Sequence, residues 1–175
     1  MSGGDRFKAE VELYPAVLKL FAGCRRVFGE VPYETKRVDL VFSSLQFRYL
    51  WAVELKLCKW RVALKQAALN QVFANLSYVA LPNYIVQRLS ESELAIFHRY
   101  AVGLLSVSHS EASVVLESRP TEFLRREFYE KVRNRLREVS LSHGRCDGQV
   151  AWCMERHQIP KSLSGFVSLT KQSPT

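Results

Sequence analysis

The chain has 175 residues, of which 47% are hydrophobic and 24% charged. These proportions are typical of globular domains, so they exclude a fibrous or intrinsically disordered chain. The length suits one domain with a real core plus an appendage, and it excludes two independent catalytic domains. No run of about eighteen apolar residues occurs, and no apolar secretion signal follows Met1, so we expect a cytoplasmic protein without membrane contact whose four cysteines stay as thiols.

The net charge of +8 is unevenly distributed. Residues 1–118 carry 14 basic and 11 acidic side chains, whereas residues 119–175 carry 11 and 6. Such an excess attracts polyanions, although it does not distinguish DNA from RNA. We therefore divide the chain into a core, 1–118, and a basic C-terminal extension, 119–175.

The first predicted elements are a helix and a strand. Apolar side chains recur at helical spacing between residues 6 and 22. Pro15 interrupts this pattern, so the helix either begins near Tyr14, leaving Glu10 on a preceding turn, or kinks at the proline. Residues 27–34 follow as an edge or bulged strand.

Two further strands and a crossover complete the predicted core. Runs 37–42 and 50–56 form a three-stranded meander with the first strand, and a helix over 59–76 returns to a parallel, buried strand over 77–81. The remaining predicted elements are a short helix from Ser90 or Ser92 to Tyr100, a hairpin of 102–107 with 113–116, a helix over about 121–139, and an irregular tail.

Charged residues stand within two of these apolar runs. Side chains alternate between the faces of a strand, so Glu54 and Lys56 share one face of the run 50–56. In the preceding run, Asp39 points away from the face predicted for Val38, Leu40 and Phe42. If the two runs pair, both acids can converge on one divalent cation with an ammonium beside it.

This ordered pattern resembles the PD-(D/E)xK nuclease superfamily. It comprises Val38-Asp39, then Glu54-Leu55-Lys56, then Gln66 on the following helix, within roughly residues 10–107. The resemblance implies an α/β, restriction-endonuclease-like mixed sheet with an αβββαβ core. It also implies a metal-dependent DNA endonuclease that hydrolyses phosphodiester bonds, often as a homodimer.

Carried over by position, the resemblance implies a role for five residues. Asp39 and Glu54 would ligate Mg²⁺ or Mn²⁺, and Lys56 would position or deprotonate the attacking water. Glu10 would add a carboxylate, and Gln66 would support the site from its helix.

Other interpretations of the same residues stay open. A Glu-x-Lys pair on a strand is ordinarily a solvated charge pair, Glu12 competes with Glu10, and Glu30 reads as structural or auxiliary. Asn70 stands four residues after Gln66, where some branches have Tyr, which argues against the RecB-like branch. The alternative function is a catalytically inactive nucleic-acid-binding module, or a scaffold subunit, of the same fold.

The extension carries two further candidate sites. The better candidates for contact with a nucleic-acid backbone on its basic helix are Arg125, Arg133, Arg135 and Arg137. Four potential Zn²⁺ ligands lie close together in the chain: His143, Cys146, Cys153 and His157. The six residues between the two cysteines are not a familiar zinc-finger spacing, and the alternative is an apolar cluster of Cys153 with its neighbours.

Overall fold

A computed structural model describes residues 6–24 and 26–141, together with the backbone of 152–155. A 3₁₀ turn, Glu10–Leu13, precedes the first helix. The helices are α1 (Tyr14–Leu20), α2 (Trp60–Asn70), α3 (Asn83–Val86), α4 (Glu91–Arg99) and α5 (Arg126–Leu141). The strands are β1 (Arg26–Tyr33), β2 (Lys36–Ser43), β3 (Leu50–Leu55), β4 (Leu76–Pro82), β5 (Gly103–Val107), β6 (Ala112–Leu116) and β7 (Trp152–Glu155).

The strands form one mixed sheet in the order β6-β5-β4-β3-β2-β1-β7. The pairs β1–β2 and β2–β3 are antiparallel, which confirms the predicted meander. The pairs β3–β4 and β4–β5 are parallel, and β5–β6 is antiparallel. The predicted α/β class, the parallel crossover through α2 and the final hairpin are therefore confirmed.

The sheet is covered on both faces, as a largely buried mixed sheet requires. One face packs against α1, with Val53, Leu55, Tyr78 and Leu105 among its buried residues. The opposite face packs against α2 and α4 near β4 and β5, and against α5 near β1 to β3. The basic extension thus contributes a helix to the core, because Val132 and Leu136 of α5 are buried there.

The regular alternation of side chains breaks where β1 and β2 face each other at Glu30 and Asp39. The ladder pairs Gly29 with Leu40 and then Val31 with Val38, and skips the pair between them. Glu30 has a positive φ of 52°. Val38 consequently packs with Val41 on the α5 side, whereas Leu40 and Phe42 pack on the α1 side. The prediction that Val38, Leu40 and Phe42 share a face was therefore wrong.

Two predicted helix boundaries were also wrong. Helix α2 ends at Asn70 rather than near residue 76, because the amides of the next three residues, 71–73, bond carbonyls three residues back instead of four. Asn75 then pairs through its backbone and side chain with Leu50 at the start of β3.

Helix α5 starts at Arg126 rather than near Thr121. The Arg119 amide donates to the Ala101 carbonyl and the Arg125 amide donates to the Val72 carbonyl, so this segment is tied to the core instead. The tail predicted to be irregular contains β7, which pairs with β1 through its backbone. An irregular sequence can supply an edge strand because the pairing uses main-chain groups that every residue except proline carries.

Candidate active site

The predicted acids meet where β2 and β3 stop pairing. The ladder between these strands ends at Leu40 opposite Val53, so the next facing positions are Asp39 and Glu54. Asp39 Oδ2 accepts a 2.7 Å hydrogen bond from the Leu55 amide. The Leu55 amide is thus bonded by a side-chain carboxylate of the neighbouring strand, and Asp39 and Glu54 follow the last ladder pair on their two strands.

Glu54 is a buried acid with one hydrogen-bonded carboxylate oxygen. Glu54 is only 2% exposed, and its Oε1 accepts a 2.7 Å hydrogen bond from Asn70 Nδ2 of α2. Oε2 is buried and has no hydrogen-bond partner among the described residues. Burial, and then the charge of Asp39, raise the pKa of Glu54 to about 8. The hydrogen bond from Asn70 and the charge of Lys56 oppose this rise but do not cancel it.

The same crowding acts on Asp39. Burial raises its pKa, the hydrogen bond from the Leu55 amide and the charge of Lys56 oppose that rise, and the carboxylates of Glu30 and Glu10 add to it. Four carboxyl groups are therefore gathered in this part of the structure: Asp39, Glu54, Glu30 and Glu10.

Lys56 supplies positive charge from the α1 side of this group. Strand β3 ends at Leu55, the Lys56 amide still bonds the Ala80 carbonyl of β4, and Lys56 Nζ lies 2.8 Å from Glu10 Oε2. The charge of Lys56 acts on both Asp39 and Glu54. Burial lowers the pKa of Lys56, but the hydrogen bond to Glu10 and the nearby carboxylates outweigh it, so the pKa is raised. Lys56 is thus held as a protonated ammonium, which can donate hydrogen bonds.

Glu10 rather than Glu12 belongs to this site. Glu10 lines a cleft of about 500 Å³ together with Tyr14, Glu30 and Asp39. Glu12 is exposed, and its carboxylate accepts a hydrogen bond from the Lys8 amide at the start of the same turn. The regular helix begins at Tyr14 with Pro15 in its first turn, which confirms the first of the two arrangements allowed by the proline.

Glu30 is the carboxylate that the sequence suggested to be structural or auxiliary. It lies opposite Asp39 in the β1–β2 register, and the Tyr14 hydroxyl donates a 3.2 Å hydrogen bond to Glu30 Oε1. The sequence signal that could have located it is the short 34–35 turn, which fixes the register that sets Glu30 against Asp39.

On α2, Asn70 contacts Glu54, whereas the resemblance implied that Gln66 supports the site from this helix. The two residues stand one helical turn apart on the same side of α2. Gln66 Oε1 is buried and has no hydrogen-bond partner among the described residues, while Asn70 binds Glu54 directly. An amide on this side of α2 was expected, but only the packing of α2 decides which one reaches Glu54.

The basic face of α5 is partly occupied by contacts within the protein. Arg133 bonds both carboxylate oxygens of Glu130 at 3.0 Å, and the Arg137 guanidinium lies 5.9 Å from the centre of the Phe47 ring. Arg125 and Arg135 are exposed. Lys131 is also engaged within the protein, because it bonds Glu34 at 2.7 Å.

The donor set around Asp39 and Glu54 fits a hard divalent cation. Within residues 6–24 and 26–141, no three His, Cys, Asp or Glu side chains are arranged to hold a metal ion by themselves. Two carboxylates completed by water or substrate oxygens are, however, the usual protein share of a Mg²⁺ shell. The buried, unpartnered Glu54 Oε2 is the atom that such an ion would satisfy. Of the suggested zinc ligands, His143, Cys146 and His157 and the side chain of Cys153 lie outside the described residues.

Comparison with known proteins gives one structural neighbour. No protein-family model matches the chain, and no curated protein matches it significantly. The solved structure of SPO1766, a protein of unknown function from Silicibacter pomeroyi, superimposes with a TM-score of 0.54 at 16% identity. The match covers 79% of this chain and 97% of that one. This similarity concerns the fold alone.

In the part of the chain that the structure describes, no helix is long and apolar enough to cross a membrane.

Proposed function

We propose that this protein is a metal-dependent DNA endonuclease with a restriction-endonuclease-like core. The observation that carries the proposal is the pairing of Asp39 with Glu54 across two diverging strands, with the Glu54 Oε2 atom buried and unpartnered. The order of helix, three-stranded meander, helix and parallel strand around this pair supports the same assignment.

The chemistry of phosphodiester hydrolysis matches the groups present. A Mg²⁺ or Mn²⁺ ion held by Asp39 and Glu54 would supply charge neutralisation at the phosphoryl oxygens and a water of lowered pKa. Asn70 holds Glu54 Oε1, which aims the second carboxylate oxygen away from α2. The Leu55 amide fixes Asp39 in the same way.

Lys56 serves as a charged donor in this proposal. Its ammonium, held by Glu10 at 2.8 Å, orients the attacking water or a nonbridging phosphate oxygen. Its raised pKa does not favour the alternative in which Lys56 removes a proton from water. Glu10 is the positioning residue for Lys56.

A polyanionic substrate suits the net charge of +8. The exposed Arg125 and Arg135 remain the candidates for backbone contact, because Arg133 is paired with Glu130 and Arg137 lies near the Phe47 ring. Arg125 makes only a 3.5 Å hydrogen bond to the Glu122 carbonyl. A homodimer that cuts both strands is an extension of this proposal. The competing candidate, an inactive nucleic-acid-binding module, shares the charge but needs no metal.

The test compares cleavage by the parent protein with that of Asp39→Asn, Glu54→Gln and Lys56→Met. The substrates are supercoiled plasmid, matched single- and double-stranded DNA oligonucleotides, and an RNA of the same sequence, each with Mg²⁺, Mn²⁺ or EDTA. Glu12→Gln is the control, since Glu12 is an exposed acid on the same turn as Glu10. We expect metal-dependent cleavage that the three site variants lose and the control keeps. Salt-dependent binding without cleavage in any metal would instead identify the inactive module.

A further inference from the structure

A second cavity lies on the outer side of α2, between α2, α4 and the segment before α5. Its volume is about 640 Å³, larger than that of the cleft lined by Glu10, Glu30 and Asp39, which we call the acidic cleft. The two cavities share no lining residue. The acidic cleft opens beside α1 and β1. The outer cavity, which we call the α2–α4 groove, is therefore separate from the proposed metal site. Among its lining residues only Arg125 is also a candidate for nucleic-acid contact.

The floor and walls of the α2–α4 groove are apolar. Leu64, Ala68 and Ile96 contribute to the lining from α2 and α4. Two aromatic side chains at the groove stay substantially in water, with Tyr100 47% exposed and Phe123 58% exposed. Exposed aromatics that converge on one concave surface are typical of ligand or partner sites.

The polar part of the α2–α4 groove is cationic. Its lining contains Arg61, Lys65 and Arg125 and no acidic residue. Arg61 stacks 4.2 Å from the centre of the Trp60 ring and pairs with Glu93 at 2.9 Å. Lys65 stands one turn further along α2 and has no ion-pair partner within residues 6–24 and 26–141. The groove thus joins an apolar body to an unneutralised positive rim.

The size of the groove favours a small ligand over a protein. Ligand cavities are typically about 300–1,000 Å³, and this volume falls within that range. A stable protein interface uses about 20–30 residues from each partner, whereas twelve residues line this groove. A second copy of this strongly basic chain would also bring positive charge towards a positive rim.

We propose that the α2–α4 groove binds an anionic amphiphile: a free aliphatic carboxylate whose chain lies on the apolar floor and whose head group meets Lys65 and Arg125. Burial of the chain provides the affinity, and the charge-assisted contacts fix the orientation.

The probe is decanoate, kept below its micelle concentration and titrated calorimetrically into the full-length protein. Acetate presents the head group without the chain, and decyltrimethylammonium presents the chain with the opposite charge. We expect saturable binding of decanoate alone. Equal binding of the cationic amphiphile, or no saturable binding of decanoate, would overturn the proposal.

Variants locate the binding and guard against non-specific adsorption. Lys65→Gln and Phe123→Ser change exposed side chains, so both variants should fold. Each should weaken decanoate binding about tenfold or more, because each removes one charge-assisted or aromatic contact. The matched controls are Lys59→Gln and Val62→Ser, exposed residues beside or on α2 that do not line the groove. Equal affinity in all four variants would contradict the assignment.

Two further measurements separate this proposal from others. Asp39→Asn should bind decanoate as the parent does, so failure of the nuclease assignment leaves this test intact. Sedimentation velocity addresses the competing occupant: concentration-dependent dimers that Phe123→Ser abolishes would assign the groove to a second copy and refute the ligand proposal.

Discussion

The Asn70 side-chain amide donates a 2.7 Å hydrogen bond to Oε1 of Glu54, a contact between α2 and the end of β3 that is buried on both sides. It holds the acid of the site whose second oxygen is buried and has no hydrogen-bond partner among the described residues. The contact therefore decides the direction in which that second oxygen points.

Replacing Asn70 should weaken metal binding more than it weakens folding. Asn70→Ala removes the donor that orients Glu54, and loss of such a partner behind a metal ligand typically costs about 10–100-fold in affinity or activity. The measurement is Mn²⁺ titration followed by calorimetry, alongside cleavage of plasmid DNA. Asn134→Ala, a change at an exposed position of α5, is the control. Unchanged Mn²⁺ affinity in Asn70→Ala would show that Glu54 is held by other contacts.

The stability of the metal-free protein should fall with rising pH because of Glu54. Its pKa is raised from 4.5 to about 8 in the folded state, so between these values the folded protein holds a proton that the unfolded chain has lost. The stabilising contribution is complete below pH 4.5 and is lost as the pH rises through about 8. Glu54→Gln cannot ionise and should lack this component.

The measurement is urea denaturation of both proteins in EDTA across that pH range. We expect the difference in free energy of unfolding between variant and parent to grow with pH by on the order of a few kcal/mol. Parallel pH profiles for the two proteins would mean that Glu54 ionises normally in the fold.

Glu30 carries backbone strain that glycine should relieve. Its φ of 52° in mid-strand is costly for any residue with a Cβ, by about 1 kcal/mol or more. Glu30→Gly should therefore raise the melting temperature or leave it unchanged, while it removes a carboxylate from the acidic cleft and lowers cleavage activity.

The matched control is Glu34→Gly, because Glu34 has a similar φ of 51° in the exposed turn between β1 and β2. It should gain the same backbone relief with no change in activity, since its ion pair with Lys131 is at the surface. Equal activities for the two variants would exclude Glu30 from the site.

Gly103 at the start of β5 leaves room for the ring of Tyr78. A Cβ at this position would lie 2.2 Å from Tyr78 Cδ1 and 2.8 Å from the Ser118 amide nitrogen. The Tyr78 ring is fully buried and cannot swing away, so Gly103→Ala should destabilise the protein by about 1–3 kcal/mol, the usual cost of overpacking a core. Thermal melting checks this, with Ser113→Ala on exposed β6 as the control. A melting temperature equal to that of the parent would show that the core can rearrange here.

The local pattern of the sequence determined most of the secondary structure. Apolar alternation and helical spacing located β1 to β6, α1, α2 and α4, because burial of one side of each element leaves a periodic trace in the residues themselves. The boundaries that failed, at the end of α2 and the start of α5, depend on hydrogen bonds to distant partners such as Val72 and Leu50. No local pattern encodes such partners.

For the candidate site, the sequence by itself determined that Asp39 lies in one strand and that Glu54 and Lys56 lie at the end of the next strand. Only the tertiary structure decided that Glu30 faces Asp39, that Asn70 rather than Gln66 holds Glu54, and that Lys56 turns towards Glu10. The physical reason is that these contacts join residues far apart in the chain. Their distances follow from strand register, from the break at Glu30 and from the packing of α2 on the sheet.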